Sequence, residues 1–228
     1  MDIWNGRNKA FTLSYDDGVE SDKKFLNIIN FYGLKCTFNL NSGKFGADDN
    51  WMCGDFLVKH VEEEEVPFLY AGHEIAVHGT KHLAPTSLSK EEFNKEFIED
   101  RAALNRLCGT RPVGMAYAYG DYNSNVAQKL KSAGFLYGRT VEDSLSFDLQ
   151  DNLLEFKPTC HHNNEKVFEL LEEFVQNKDT KPQLFYLWGH SYEFDAENKW
   201  KHLERICEYI SGRENIFYGT NRQVFGIK

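Results

Sequence analysis

The stretch Lys9-Ala10-Phe11-Thr12-Leu13-Ser14-Tyr15-Asp16-Asp17-Gly18 runs a largely apolar segment into two acids and a glycine. Behind it, Asp22 to Phe31 carries Phe25, Ile28, Ile29 and Phe31 at helical spacing, so the segment reads as strand, loop, helix. The same alternation extends outward. Strands are expected at Lys35–Leu40, His73–Val77, Gly114–Tyr117, Phe135–Thr140, Leu153–Lys157, Gln183–Trp188 and Ile216–Tyr218. Helices are expected near Gly54–Glu64, at Lys90–Leu107 with a stop near Gly109, and at Asn123–Ala133, Glu165–Gln176 and Glu197–Ser211. Strands alternating with helices over the whole length imply parallel β-α units, in a doubly wound sheet or a barrel, and seven or eight such units favour the barrel.

The chain has 228 residues, 41% of them hydrophobic and 14% aromatic, which suffices for one large core and leads us to expect a single domain over residues 1–228. No repeat, low-complexity tract or Pro/Ser/Gly-rich linker interrupts it, and the acidic run Glu62–Glu65 reads as a solvated helix end. With 26 basic against 35 acidic residues and a formal charge of −9, the chain repels polyanions, so nucleic acid and anionic membrane surfaces are poor partners. The five cysteines, Cys36, Cys53, Cys108, Cys160 and Cys207, are odd in number and contain no C-x-x-C pair, a pattern of free thiols in a reducing compartment. The stretch from Met1 to Ala10 lacks the apolar core of a secretory signal, and no segment approaches a membrane span. The expectation is a soluble, cytoplasmic protein, with loss of a leader peptide as the alternative.

In parallel β-α architectures, reactive groups gather where strands end and loops begin. Four clusters occupy such places: Asp16-Asp17, His78 with His82, Tyr119-Gly120-Asp121, and His190. Two adjacent carboxylates at a strand end repel unless a positive group compensates them, although Asp-Asp-Gly also suits a turn and a helix cap. His78 and His82, at i and i+4, can present both rings to one divalent ion. One carboxylate with two imidazoles leaves coordination positions open, as a catalytic metal site requires. His190 follows the most apolar strand and titrates near neutrality, which suits a general acid, or it caps the core at a rim. His60, His73 and His202 read as packing or surface residues.

Four ordered segments, Ser14-Tyr15-Asp16-Asp17-Gly18, His78-Gly79-Thr80-Lys81-His82, Ala116-Tyr117-Ala118-Tyr119-Gly120 and Leu187-Trp188-Gly189-His190, resemble the motifs of the polysaccharide deacetylases, the NodB-type members of carbohydrate esterase family 4. The resemblance implies a distorted barrel of about seven β-α units and one divalent metal, zinc by ligand type with cobalt or nickel as substitutes. It implies that Asp17, His78 and His82 hold the metal, Asp16 is the general base, His190 is the general acid, and the backbone N–H of Tyr119 helps hold the oxyanion. The substrate it implies is an N-acylated sugar, oligosaccharide or polysaccharide.

The third segment departs from the family's Arg-Pro-Pro-Tyr-Gly pattern: the arginine that orients the base is missing. Arg139, at the next strand end, is the nearest residue to supply that cation, and Arg111 is the runner-up. Tyr117, Tyr119 and Trp188 offer aromatic faces for a sugar ring, and His161-His162 follows a strand and is expected to line the substrate site. A second metal there has no carboxylate at ligand spacing in the sequence. Two rival functions fit the same residues: a C–N hydrolase acting on a small amide, ureide or imide, and a sugar-binding protein whose metal only anchors ligand. Retention of both Asp16 and His190 argues against the latter, because binding needs neither base nor acid.

Overall fold

A computed structural model describes residues 4–227; residues 1–3 and 228 of the expected domain lie outside the described residues. Strand β1 (Lys9–Asp16) is buried at all eight positions, as expected of a parallel strand covered on both faces. It pairs in parallel with β9 (Gln183–Gly189) along most of its length. On its other side it pairs with β2 (Cys36–Leu40) towards its C-terminal end and with β10 (Ile216–Tyr218) towards its N-terminal end. From β2 the sheet continues through β5 (Glu74–Val77) and β6 (Gly114–Ala116) to β7 (Tyr137–Arg139), and beyond β9 lies β8 (Cys160–His161).

One stretch joins the two ends of this path. Phe156 bridges Arg139 of β7, and four residues later Cys160 pairs with Leu187 of β9. Seven strands thus curl into a distorted α/β barrel. Helices α1 (Asp22–Phe31), α5 (Ser124–Ser132), α6 (Val167–Gln176) and α8 (Trp200–Ile210) cover it. Each turns one apolar stripe inward; α8, for example, buries Trp200, Leu203, Ile206, Cys207 and Ile210.

Two expectations are corrected, and two expected helices are present with altered detail. The segment expected as a helix near Gly54–Glu64 begins as an antiparallel hairpin, β3 (Trp51–Cys53) with β4 (Phe56–Val58). Gly54 takes a left-handed φ of 57° at its turn, and the following residues pair across the Asp17 loop through Val61 N–H to Gly18 O, at 3.1 Å. A 3₁₀ turn, Glu63–Glu65, and the short α2 (Val66–Leu69) follow. The expected strand Leu153–Lys157 is a single 3₁₀ turn, Leu153–Glu155, capped by the Asn152 side chain. The expected helix Glu197–Ser211 is present as α8 but starts only at Trp200, because Asn198 takes a φ of 51°; a separate short helix, α7 (Tyr192–Ala196), precedes it. The long helix is α3 (Lys90–Phe93), a π-helical stretch Asn94–Glu99, and α4 (Asp100–Cys108) ending on left-handed Gly109. All five cysteines are free, and among the described residues no helix is long and apolar enough to cross a membrane.

Candidate active site

The C-terminal ends of β1, β5, β7 and β9 deliver Asp16 and Asp17, His78, Arg139 and His190 to one face of the barrel. Asp17 and His82 both adopt left-handed backbone, with φ of 79° and 58°, a conformation non-glycine residues adopt at a cost of about 1–2 kcal/mol and hold where the surroundings demand it. The result is convergence. Asp17 Oδ1 lies 3.6 Å from His78 Nε2 and 3.7 Å from His82 Nε2, and the two nitrogens are 3.1 Å apart.

This donor set fits a divalent cation. Ligands about 2.1 Å from a tetrahedral centre stand roughly 3.4 Å from one another, the scale of this triangle. His78 Nδ1 lies 2.9 Å from the carbonyl of Ala116; a carbonyl only accepts, so Nδ1 carries the proton and Nε2 turns its lone pair into the triangle. Burial, with the neighbouring His78, depresses the His82 pKa to about 4, so its imidazole is neutral at pH 7. His60, read from sequence as packing, donates Nδ1–H to the carbonyl of Asp17 at 3.1 Å.

Asp16 is built differently. Its Oδ1 accepts from Asn39 Nδ2 at 2.8 Å, and its Oδ2 accepts from Arg139 Nη2. Burial alone would raise its pKa, but Arg139, then His78 and His190, hold it down at about 2. Arg139 is 1% exposed and its guanidinium carbon stands over the Trp188 ring, 4.4 Å from the centroid, while Trp188 Nε1 donates to Asp143. Trp188 therefore backs the guanidinium rather than facing solvent. Arg111, the runner-up, is exposed in a depression with His73, Glu74 and Arg222, where β5 and β6 begin.

His190 Nε2 stands 3.9 Å from Asp16 Oδ2 on one side, and Nδ1 3.5 Å from Glu193 Oε1 on the other. Burial works against its charge, yet Glu193, Asp17 and Asp16 outweigh that and raise its pKa to about 9. Glu193 Oε2 also lies 3.2 Å from His161 Nε2 and 3.1 Å from His162 Nε2. Burial alone would push its carboxyl up, but these three histidines hold it far below the usual range. The sequence offered no carboxylate at ligand spacing to His161-His162, and Glu193 reaches them from about 30 residues away in the chain. The sequence signal was Glu193 at i+3 from His190, on the first turn of α7.

His161, His190 and Glu193 could also be read as a metal trio, but the tautomers oppose it. His161 Nδ1 accepts the N–H of Asn163 at 3.1 Å, so Nε2 carries the proton and turns it toward Glu193, 3.2 Å away. His162 is wholly buried, stacked on Phe194 and hydrogen-bonded to Tyr15 Oη at 3.0 Å. It sits so close to β9 that a Cβ on Gly189 would lie 2.0 Å from its Nδ1. His162 therefore supports the wall of the site and does not line a substrate surface, as the sequence had suggested.

The adjoining cavity, about 330 Å³, is lined by Asp17, Lys44, Asp49, Trp51, His60, His82, Tyr119 and Tyr192. Of the three aromatics expected to face substrate, only Tyr119 does so: it is 72% exposed, with φ of 57° and its ring 4.4 Å from His82. Tyr117 is a core residue whose hydroxyl donates to Leu154 O at 2.6 Å. Trp51, from the β3–β4 hairpin, and Tyr192 supply the aromatic wall instead, packed edge to face at 5.4 Å.

Residues 5–138, more than half of the chain, match the family model described as polysaccharide deacetylase. The chain belongs to the polysaccharide deacetylase family. A peptidoglycan-N-acetylglucosamine deacetylase of Bacillus cereus is 26% identical over 146 residues, which cover 61% of this chain and 47% of that protein. The chain spans about half the length of this curated relative. Among solved structures, the family 4 carbohydrate esterase from Streptomyces lividans, in complex with acetate, aligns with a TM-score of 0.62 at 17% identity over 97% of both chains. A peptidoglycan N-acetylglucosamine deacetylase bound to an N-oxidanyl-benzamide aligns at 0.61 and 16%, over 97% of this chain and 91% of its own. This member of the family thus shares the α/β barrel of those solved structures.

Proposed function

We propose that the chain, as one catalytic domain, hydrolyses the amide of an N-acetylated carbohydrate with the help of a divalent metal held by Asp17, His78 and His82. The observation that supports this most directly is the division of labour between the neighbours Asp16 and Asp17. Asp17 Oδ1 faces two imidazole nitrogens, whereas Asp16 is turned onto Arg139 and Asn39. Membership of the family and the name of the relative supply the acyl-sugar chemistry.

A divalent ion at the triad, zinc by its N₂O donor set, supplies Lewis acidity that acidifies water and polarises an acyl oxygen. Asp16 takes the proton of the attacking water, its carboxylate kept ionised and oriented by Arg139 and Asn39. His190, charged at neutral pH, presents its Nε2–H toward Asp16 and the metal triad, and delivers that proton to the departing nitrogen. Glu193 keeps His190 protonated. The left-handed turn at Tyr119 brings its backbone N–H to the rim, where it is suited to hold the developing oxyanion. Trp51, Tyr119 and Tyr192 offer faces to a pyranose ring.

The test is to measure acetate release from a panel of N-acetylated mono- and oligosaccharides, and product release from small amides, ureides and imides, on protein of known metal content. Release confined to the small amides would replace this reading with the C–N hydrolase alternative, and sugar binding with no release would replace it with the lectin-like one.

A further inference from the structure

The metal triad depends on a loop that has no regular structure of its own. His82 sits in it with left-handed backbone, and its neighbours on both sides direct their N–H groups to one buried carboxylate. Glu96 Oε1 accepts from Lys81 N at 3.0 Å and from Leu83 N at 2.8 Å, and Oε2 lies 3.2 Å from Lys81 N. Glu96 is 2% exposed, and among the described residues no lysine or arginine pairs with it. A buried carboxylate without a cation is unfavourable unless hydrogen-bond donors satisfy it, and here the donors are the backbone groups that bracket His82.

The helix that carries Glu96 is deformed at this point. Glu96 lies within the π-helical stretch Asn94–Glu99, a rare geometry that tends to occur at functional positions. Asp100 lies four residues on, on the same side of the helix, and accepts from Ser42 N at 2.8 Å and Gly79 N at 3.2 Å. The carbonyls of Lys95 and Glu96 accept from Thr80 Oγ1 and Thr80 N at 2.8 and 2.9 Å. The fit leaves no slack: a Cβ on Gly79, whose φ is 92°, would lie 2.4 Å from Glu96 Oε1. On the other flank Asn41 Nδ2 donates to the carbonyls of His78 and Gly79 at 3.0 and 2.7 Å.

We propose that the π-helical stretch, through Glu96 first and Thr80 second, is a clamp that positions His82 as a metal ligand. The inference rests on the metal triad proposed above. Glu96 touches neither metal nor substrate in this reading; it acts through the Lys81 and Leu83 backbone. In Glu96→Gln an amide oxygen can still accept from both N–H groups, but the charge that strengthens both bonds is gone and an NH₂ stands where Oε2 lay 3.2 Å from Lys81 N, so two donors face each other and the backbone on either side of His82 is held less firmly.

The experiment is a competition titration of zinc against a chromophoric chelator for the wild type, Glu96→Gln and, as a control, Glu91→Gln, an exposed carboxylate on the preceding turn. The zinc Kd of folded Glu96→Gln should rise about 10- to 100-fold, the scale of losing a group that orients a ligand, while Glu91→Gln stays within twofold of wild type. The cobalt-loaded proteins give an independent reading, since the visible bands report ligand geometry and should shift only in Glu96→Gln. A merely structural role would lower the Tm and leave both Kd and spectrum of the folded protein unchanged, which overturns the clamp. If Glu96→Gln does not fold, Thr80→Val, which deletes the hydroxyl contact to Lys95, replaces it: a several-fold rise in Kd supports the clamp and an unchanged Kd overturns it. A wild type that takes up no zinc overturns the metal triad itself, a different failure.

Discussion

Arg139 and Asp16 stand 123 residues apart in the chain and form a buried ion pair beneath the plane of Trp188. The family's usual arginine precedes a proline pair in the third motif, but here that motif is Ala116-Tyr117-Ala118-Tyr119-Gly120. Ala116 and Arg139 are register partners on β6 and β7, so the cation enters from the neighbouring strand end.

Replacing Arg139 with Met leaves Asp16 buried without its cation. The general base must be ionised, so activity falls as pH drops through the Asp16 pKa. Removing the guanidinium leaves burial to raise that pKa above about 2, so the acidic limb of the pH–rate profile moves to higher pH. The variant should bind metal, turn over more slowly and lose about 3–5 kcal/mol in urea unfolding, the usual cost of orphaning one partner of a buried pair. An unmoved acidic limb would separate Arg139 from the base.

The two aspartates should fail in different ways. Asp17→Ala and His78→Ala are expected to lose both metal and turnover, with wild type holding about one equivalent of zinc by elemental analysis. Asp16→Asn should keep the metal while turnover drops by roughly 10² or more. Loss of metal from Asp16→Asn, or full occupancy in His82→Ala, would force the ligand assignment to be redrawn.

Glu193 sets the alkaline side. A general acid must be protonated, so turnover is lost as pH rises through the His190 pKa, about 9. Glu193→Gln removes a negative charge from the imidazolium, lowers that pKa towards the unperturbed value of about 6.5, and should pull the alkaline limb down with it. The shift should be visible in kcat/KM against pH at constant metal saturation. A limb that stays near pH 9 in the variant would assign it to a group other than His190.

The β3–β4 hairpin carries the aromatic wall, so Trp51→Ala should raise KM for a sugar substrate several-fold and leave kcat within about twofold, because a face that touches only the sugar ring binds ground and transition states alike. Equal losses in kcat and KM would place Trp51 closer to the reacting amide.

Sequence alone determined the parallel β-α order, because buried strands read as continuous apolar runs and the helices between them as amphipathic ones. It also determined which polar residues collect at strand ends, since that follows from local pattern: Asp16, Asp17, His78, His82 and His190 were legible there, whereas Arg139 was singled out only by the arginine that the family resemblance implied and the third motif lacks. Tertiary structure alone decided their partners. Glu193 meets three histidines because β8 pairs beside β9 and brings His161 and His162 to the strand end that α7 follows, and Glu96 meets the Lys81–Leu83 backbone from a π-helical stretch that no local pattern announced. Tyr117 and Trp188 were misread as ligand faces because an aromatic at a strand end can point into the core or out of it, and one residue of register settles which. The segment expected as a helix near Gly54–Glu64 starts inside the β3–β4 hairpin instead for a related reason: the residues after the hairpin are held by the distant Asp17 loop, through Val61 N–H to Gly18 O and Glu20 N–H to Lys59 O, and such contacts leave no local periodicity to read.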